Sequence, residues 1–454
     1  MKLFSVSFLL FLFAGEQISQ VHCMPTLGHI GKYLHGHGAG TTKRLGKRSL
    51  FSSLESAIEL ELAGLTFNPL TEPVDITGDH AFKAPNFTAG DIRGPCPGLN
   101  ALANHGYLPR DGVTSMLDAI LAIHNVLGMG IDLGTVLGVY ATVELGNPLS
   151  LDPGFSIGGE SDEAQNILDN ALGLLGEPQG LDGGHNIIES DASPTRGDLY
   201  VTGENYKLQM DNFMEWYNLA DDNGTFSMDA MLELGVKRYE QSVATNPYFY
   251  YGPVAGLFFR NAGFAFIGRI MRNHSTEHPE GVLTKDCVKS FFAIYGEEGN
   301  FEYREGWEKI PDNWYRAPKG SEYGLLNFNL DIIDWVAKEP ILANIGGNVG
   351  SVDSFMGVNI ANLTGGVYDA TMLLEGNNLL CFVLEVMKFA SPNSLSSIYS
   401  TIGVPYKLLT DALDVALLKL NNCPVVADLT AGGKPAWEGL QDLFPGANKS
   451  GSAF

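Results

Sequence analysis

RGPCPGLN, residues 93–100, sets one cysteine between two prolines immediately before a helix-like run. Pro95 favours an extended backbone up to Cys96, and Pro97 suits the first turn of a helix, where its missing N–H costs nothing. Leucines then recur at helical spacing until Gly106 ends the run. We therefore expect Cys96 at a helix N-terminus, where backbone N–H groups and the helix dipole favour a thiolate.

The role of Cys96 depends on its position at the start of a helix and on whether another cysteine pairs with it. An anionic sulfur on a rigid helix start is what an iron-ligating thiolate requires. A buried structural cysteine and one half of a disulfide are the open alternatives. The cysteines are Cys23, Cys96, Cys287, Cys381 and Cys423. We pair Cys381 with Cys423, because a pair is expected in an oxidising compartment, and interpret Cys287 as a buried thiol.

Composition and the N-terminal segment indicate a secreted globular protein. The chain has 454 residues, of which 45% are hydrophobic, and a net charge of −24, which argues against nucleic acid and anionic membranes as partners. Residues 1–22 are typical of a secretory signal peptide, with a lysine before a short apolar run. Residues 23–48 carry dibasic pairs at 43–44 and 47–48, typical of a pro-segment or of a flexible basic tail, and the domain would span 49–454.

N-glycosylation sequences also indicate a secreted protein. N-x-S/T sequences occur at Asn86, Asn223, Asn273, Asn362 and Asn448. No later segment has the roughly 18 uninterrupted apolar residues of a membrane span. We therefore expect a secreted, extracellular protein whose mature form contains no membrane segment.

Helical periodicity dominates the chain. The predicted helices span 51–65, 114–127, 131–146, 162–175, 228–244, 254–271, 284–295, 323–338, 365–389 and 406–420. Few segments alternate as strands do, and no repeat of fixed period occurs. The fold class expected is mostly α, in a single domain with long irregular loops.

A second constellation is the acidic loop ESDASPTRGD at residues 189–198. Two carboxylates and a hydroxyl within five residues supply hard oxygen ligands for Mg²⁺ or Ca²⁺. Asp and Ser in a turn also commonly cap a helix, and this interpretation stays open.

Taken together, P-C-P at 95–97 and E-S-D-A-S at 189–193 resemble the signature of the fungal haem-thiolate peroxidases, that is, chloroperoxidase and the unspecific peroxygenases. The resemblance continues through 94–112, 246–249, 310–314 and 365–381, so it covers most of residues 80–425. It implies a helical chloroperoxidase-like fold. The spacing of Cys381 and Cys423 is similar to that of the C-terminal disulfide of the long peroxygenases.

The resemblance also implies roles for individual residues. Cys96 would be the axial ligand of haem b iron, where a thiolate favours O–O cleavage of a peroxide. Glu189 through its carboxylate, Ser190 through its backbone carbonyl and Ser193 through its hydroxyl would hold Mg²⁺ (or Mn²⁺). This ion would also bind a haem propionate, and Asp191 would brace the loop.

Two departures from the family pattern concern the distal acid–base group. Ser190 stands where the family has His or Gly, so a histidine–glutamate pair cannot be built at that position. The distal glutamate of the family would fall within residues 260–269, which contain no carboxylate. The weak candidates to replace it are Arg260, Arg269, His274 and Glu277. Nearby phenylalanines, which form a substrate channel or simply core, are Phe258, Phe259, Phe264 and Phe266.

The function expected is that of a secreted haem-thiolate peroxidase or peroxygenase. It would use hydrogen peroxide to oxidise, oxygenate or halogenate a small organic substrate. Two alternatives stay open because the distal glutamate is not evident. One is a haem-thiolate enzyme of secondary metabolism that does not use peroxide, and the other is a secreted haem-binding protein without turnover.

Overall fold

The computed structural model describes residues 71–166, 178–394, 404–420 and 422–449. Its α-helices are Pro97–Asn104, Met116–Leu127, Ile131–Leu145, Leu199–Thr202, Met210–Tyr217, Met228–Thr245, Asn261–Ile270, Lys285–Phe291, Leu325–Lys338, Ile360–Leu363, Asn378–Ser394, Val404–Leu420, Ala436–Leu443 and Pro445–Lys449. A π-helical turn, Ala255–Arg260, runs directly into helix Asn261–Ile270. The mostly α fold class is confirmed.

Short antiparallel strands join the loops between helices. Val113–Ser115 pairs with Gly154–Ser156, Ile294–Tyr295 with Glu302–Tyr303, and Thr430–Ala431 with Lys434–Pro435. A three-stranded sheet has the order Tyr250–Tyr251, Gly346–Asn348, Phe355–Gly357. These strands are two or three residues long, too short for an alternating pattern to appear in the sequence.

Most predicted helices occur close to their expected bounds, but the helix predicted over 365–389 begins only at Asn378. Ser115 begins helix Met116–Leu127 by accepting the N–H of Asp118 at 3.0 Å, as its capping pattern predicts. Residues 161–166 are not helical, so the part of the predicted helix 162–175 that the structure describes is wrong. The signal peptide, the pro-segment, helix 51–65 and residues 167–175 lie outside the described residues.

Helix Ile131–Leu145 forms the centre of the packing on one side of the molecule. It packs against Met116–Leu127 and against Val404–Leu420, and most of its side chains are buried. A Cβ at Gly138 would lie 2.8 Å from Cγ1 of Ile120. Only glycine therefore permits helices Met116–Leu127 and Ile131–Leu145 to approach this closely. The two helices therefore present a closely packed apolar wall.

The cysteines are arranged as the sequence analysis paired them. A disulfide joins Cys381, in helix Asn378–Ser394, to Cys423, beyond helix Val404–Leu420. Cys96 and Cys287 carry free thiols, and Cys287 is buried. The thiol of Cys96 is therefore available as a ligand.

The surface agrees with parts of the sequence analysis. Four of the asparagines in N-x-S/T sequences are exposed: Asn86, Asn223, Asn362 and Asn448. Asn273 is half-buried, and its Oδ1 accepts the N–H of Tyr315 at 2.8 Å. Within the described ranges, no helix combines the length and the apolarity needed to cross a bilayer.

Candidate functional site

Cys96 occupies the N-cap of helix Pro97–Asn104, as the sequence predicts. Its backbone is extended, with φ −88° and ψ 107°, and Pro97 is the first helical residue. The carbonyl of Cys96 accepts the N–H of Asn100 at 3.1 Å, so the helical hydrogen bonding begins at the cysteine itself. The sulfur therefore projects from a fixed point of the backbone.

Asn100 holds the backbone that leads to Cys96. Its Nδ2 donates to the carbonyl of Gly94 at 2.9 Å, and its Oδ1 accepts the N–H of Gly94 at 3.0 Å. Both residues are buried. A Cβ at Gly94 would collide with the carbonyl oxygen of Ile157, so glycine is required where these two backbone segments meet.

Arg196 ties the acidic loop to the cysteine segment. Its Nε donates to the carbonyl of Pro95 at 3.1 Å, and its Nη2 lies 3.3 Å from Oε1 of Glu308. Both charged side chains are buried, and burial raises the pKa of Glu308 while Arg196 lowers it. Because a buried ion pair is costly to break, Arg196 fixes the distance between the two motifs.

The surroundings of Cys96 shift the pKa of its thiol in the direction opposite to the sequence-based expectation. Burial raises the pKa of the thiol, while the N–H groups of Leu99 and Gly98 and the charge of Arg196 act in the opposite direction. The helix N-terminus alone therefore does not make the thiolate the favoured form. A metal cation that displaces the proton would supply the remaining stabilisation.

An apolar cavity of about 280 Å³ lies beside Cys96. Helix Asn261–Ile270 and the π-helical turn before it contribute one part of the wall, and helix Met116–Leu127 contributes another. The polar or charged side chains in its lining are Glu189, Ser190, Ser193, Thr195, Arg196 and Arg260. A mostly apolar cavity with a few convergent polar groups is typical of a cofactor or substrate site.

The acidic loop and the cysteine meet at this cavity, as the resemblance implies. Oε2 of Glu189 accepts hydrogen bonds from Nδ1 of His185 at 2.9 Å and from Nδ2 of Asn205 at 2.6 Å. Oε1 of Glu189 and Oγ of Ser190 are buried and have no hydrogen-bond partner in the described part of the chain. A buried carboxylate oxygen without a donor, such as Oε1 of Glu189, suits a cation.

The donor set for that cation is of mixed type. Among the residues that the structure describes, no three His, Cys, Asp or Glu side chains cluster as metal ligands. A cation beside Glu189 would therefore also take hydroxyl or backbone oxygens, such as those of Ser190 and Ser193, which line the same cavity. Oxygen ligands of this kind fit Mg²⁺.

Asp191 braces the acidic loop, as expected. Its Oδ1 accepts the N–H of Leu199 at 3.1 Å, and its Oδ2 accepts from Nδ2 of Asn246 at 2.8 Å. Asp198 accepts from the same Nδ2 at 3.1 Å and from the N–H of Ala192 at 2.9 Å. Burial, and then the neighbouring Asp198, raise the pKa of Asp191. These contacts hold Ala192 in a left-handed conformation, with φ 61°.

His185 is a site residue that the sequence analysis missed. A histidine at position 190 is absent, yet a histidine–glutamate pair does form, between His185 and Glu189. Although burial opposes its charged form, Asp191 and the hydrogen bond to Glu189 together raise the pKa of His185 to about 9. The available signal was the position of His185, four residues before Glu189 and just before the motif.

The structure separates the four candidates for the distal acid–base group. Arg260 lines the cavity and donates to the carbonyl of Ala192 at 3.0 Å, to Oδ1 of Asn261 at 2.9 Å and to the carbonyl of Gly235. Burial lowers its pKa to about 10, so its guanidinium stays charged at neutral pH.

The other three candidates are not among the described residues that line the cavity. Arg269 pairs with Asp331, with 2.5 Å between Nη2 and Oδ1. The Nδ1 atom of His274 lies 3.1 Å from the carbonyl of Pro279, and Glu277 is exposed. The phenylalanines also divide: Phe259 and Phe266 line the cavity, whereas Phe258 and Phe264 are core residues.

A family model described as "Peroxidase, family 2" matches residues 80–319, which include the cysteine, the acidic loop and the cavity-lining helix. The chain belongs to this family, the fungal haem-thiolate peroxidases. An aromatic peroxidase of Fusarium equiseti, fscJ, is 51% identical over 388 residues, which are 86% of this chain and 88% of the relative.

Two further relatives support the assignment. The dothistromin biosynthesis peroxidase dotB of Dothistroma septosporum is 40% identical over 383 residues, which are 84% of this chain and 89% of the relative. An aromatic peroxygenase of Cyclocybe aegerita is 31% identical over 268 residues, or 58% and 65% of the two chains. This haem-thiolate peroxidase is accordingly an oxidoreductase that acts on peroxide. Its free thiol beside an apolar cavity fits haem.

The two hydrogen bonds between the side chain of Asn100 and the backbone of Gly94 yield a test of stability. In the Asn100→Ala variant, both backbone groups of Gly94 lose their buried partner, so the free energy of unfolding should fall by about 2 kcal/mol or more. Urea unfolding of the purified protein measures this change. The exposed asparagine Asn300 provides the control, because Asn300→Ala should change the free energy by less than about 0.5 kcal/mol. Equal effects of the two substitutions would contradict a stabilising role of these hydrogen bonds.

Proposed function

We propose that this protein uses hydrogen peroxide to oxidise or oxygenate small aromatic molecules, with haem b bound through Cys96. The observation that carries the proposal is the free thiol of Cys96, which faces an apolar cavity from the first turn of a helix. The printed names of the relatives, aromatic peroxidase and aromatic peroxygenase, support aromatic molecules as the substrate class.

The residues around Cys96 have defined tasks in this proposal. Bound haem supplies the activation of peroxide, and a thiolate ligand favours cleavage of the O–O bond. Asn100 and Arg196 keep the segment before the sulfur in place through Gly94 and Pro95. The apolar wall, including Phe259, excludes water and orients a flat aromatic substrate.

We infer that Glu189, Ser190 and Ser193 hold Mg²⁺, or Mn²⁺, beside a haem propionate. The buried and unpartnered Oε1 of Glu189 supports this, because a cation would satisfy it. His185 and Asn205 occupy the other oxygen and so direct Oε1 towards the ion. The ion would offset the charge of a propionate, which an apolar cavity could not otherwise accommodate.

Arg260 is the distal candidate that the geometry favours, and its task is electrostatic. A guanidinium does not accept a proton, so Arg260 would stabilise negative charge that develops on peroxide. Residues 255–271 contain no carboxylate and no imidazole, and a glycine or isoleucine takes the place of the family glutamate; Gly263 and Ile267 both line the cavity. We therefore propose that the proton of peroxide leaves through water or through a residue outside this helix.

We also propose that the protein is secreted and glycosylated. Three features support this: the leader-like residues 1–22, the exposed asparagines in four N-x-S/T sequences, and the disulfide between Cys381 and Cys423. Disulfides persist mainly in oxidising compartments, so the three features point in the same direction.

The choice of Cys96 is tested by removing each free thiol in turn. Cys96→Ala should lose bound haem and the red-shifted ferrous–CO Soret band, because no other ligand replaces the thiolate. Cys287→Ala should keep both, since it removes the other free thiol of the described residues without touching the cavity. Absorption spectra with and without CO provide the measurement. Full haem retention in Cys96→Ala would refute the assignment.

The same preparations test the reaction. The wild-type holoprotein should convert a small aromatic alcohol, such as veratryl alcohol, when hydrogen peroxide is added. Haem that peroxide only bleaches, with no product formed, would instead support a binding protein or an enzyme that does not use peroxide.

The magnesium site is tested by its metal content. Glu189→Gln removes the negative charge of the unpartnered oxygen, so purified and dialysed protein should lose its magnesium. Ser190→Ala should retain the metal, because only the backbone carbonyl of Ser190 would bind it. Elemental mass spectrometry measures the magnesium bound per chain. A wild-type protein without bound magnesium, or a Glu189→Gln variant with as much magnesium as the wild type, would refute the proposed site.

A further inference from the structure

Tyr323 lies between the cavity and the outer surface of the molecule. Phe266 lines the cavity, and its ring meets the ring of Tyr323 edge-on, with the centroids 6.3 Å apart and the planes at 82°. The side chain of Tyr323 is almost fully buried, with 7% of its surface exposed. A single aromatic ring therefore separates the cavity from the phenol of Tyr323.

The backbone of Tyr323 is fixed to the rim of the cavity. Its N–H donates to the carbonyl of Gly128 at 3.0 Å, and its carbonyl accepts the N–H of Gly130 at 2.9 Å. Met129, between those glycines, lines the cavity. The separation between the phenol and the cavity is therefore set by main-chain hydrogen bonds.

The hydroxyl of Tyr323 already has a proton acceptor. It donates to Oδ2 of Asp331 at 2.8 Å. Arg269 binds both oxygens of this carboxylate, with 2.9 Å between Nε and Oδ2 and 2.5 Å between Nη2 and Oδ1. The Asp331 side chain is 13% exposed and that of Arg269 is 37% exposed, so the pair lies at the solvent boundary.

This arrangement is what oxidation of a tyrosine requires. A phenol that loses an electron becomes strongly acidic, so its oxidation is easy only where a base can take the proton at the same time. Burial raises the pKa of Tyr323, so the hydroxyl keeps its proton until oxidation occurs. The carboxylate of Asp331 is positioned to receive it.

Two other aromatic residues near the cavity lack such a base. Trp314 stacks edge-on against the cavity-lining Phe291 at 5.5 Å, but its Nε1 donates to the backbone carbonyl of Met271, which is not a proton acceptor. Trp216 contacts the cavity-lining Phe292 at 4.9 Å, and its Nε1 has no partner in the described part of the chain. The geometry therefore favours Tyr323 over either tryptophan.

We propose that Tyr323 forms a second oxidation site, at which phenolic molecules too large for the cavity are oxidised at the surface. This inference rests on the proposed use of peroxide in the cavity. Tyr323 would give one electron to the haem that hydrogen peroxide has oxidised in the cavity, and its proton to Asp331. A phenol at the surface returns an electron to Tyr323, Asp331 returns the proton, and the phenol releases its own proton to water. Two such rounds reduce one hydrogen peroxide to two waters and yield two phenoxyl radicals.

The experiment compares one phenol in two forms. The holoprotein is given hydrogen peroxide with free 4-hydroxyphenylpropionate, or with the same phenol coupled to dextran so that it cannot enter the cavity. Tyr323→Phe should lower the oxidation rate of the dextran-linked phenol by about 100-fold, the order contributed by a positioned proton transfer, and leave the free phenol nearly unaffected. Asp331→Asn should act in the same direction. Tyr295→Phe is the control, because the hydroxyl of Tyr295 donates to a backbone carbonyl, that of Trp307, at 2.9 Å.

A spectroscopic readout accompanies the rates. Wild-type holoprotein frozen after mixing with peroxide, without substrate, should give a tyrosyl radical signal in electron paramagnetic resonance that Tyr323→Phe lacks. A spin-trap adduct located by peptide mass spectrometry should fall on Tyr323. Dextran-phenol oxidation that persists in Tyr323→Phe, or adducts only on other residues, would overturn the inference. Failure of the wild type to oxidise even the free phenol would instead refute the proposed use of peroxide.

Discussion

The hydrogen bond from Nε of Arg196 to the carbonyl of Pro95 joins the two motifs on which the site depends. Arg196 lies within the acidic loop, and Pro95 directly precedes the cysteine, so one contact sets the position of the loop relative to the sulfur. The ion pair with the buried Glu308 keeps the guanidinium in place. The two motifs are 93 residues apart in sequence, from Cys96 to Glu189, and this contact helps to bring them to one cavity.

The site combines charged groups with an otherwise apolar cavity. Hydrogen bonds to residues behind the cavity wall hold most of these charged groups in place. His185 and Asn205 bind one oxygen of Glu189, and the N–H of Leu199 and Nδ2 of Asn246 bind Asp191. Arg260 is occupied by two backbone carbonyls and the side chain of Asn261. Among the described residues of the lining, the thiol of Cys96 and the unpartnered oxygen of Glu189 are available to bind a ligand, whereas Arg260 can act on it through its charge. A thiol and a carboxylate oxygen that could bind a cation suit a large prosthetic group that carries a metal ion and has an anionic group at its edge.

Much of the fold was predictable, because long amphipathic helices and the capping of Met116–Leu127 by Ser115 are local properties. The meeting of Cys96 with Glu189 was predictable only through the resemblance, since residue spacing carries no information on tertiary contacts. The ion pair of Arg269 with Asp331 depends on how distant segments pack, whereas the pairing of His185 with Glu189 depends on the local turn between them. The expectation of a favoured thiolate was incomplete, because the helix N-terminus was weighed without the burial that raises the pKa of Cys96.

The central claim is that the sulfur of Cys96 binds iron. X-ray absorption spectroscopy at the iron edge of the purified holoprotein tests it most directly, because sulfur and nitrogen or oxygen neighbours scatter differently. The account predicts a single sulfur in the first coordination shell, in addition to the haem nitrogens. A shell of nitrogen and oxygen alone would contradict it.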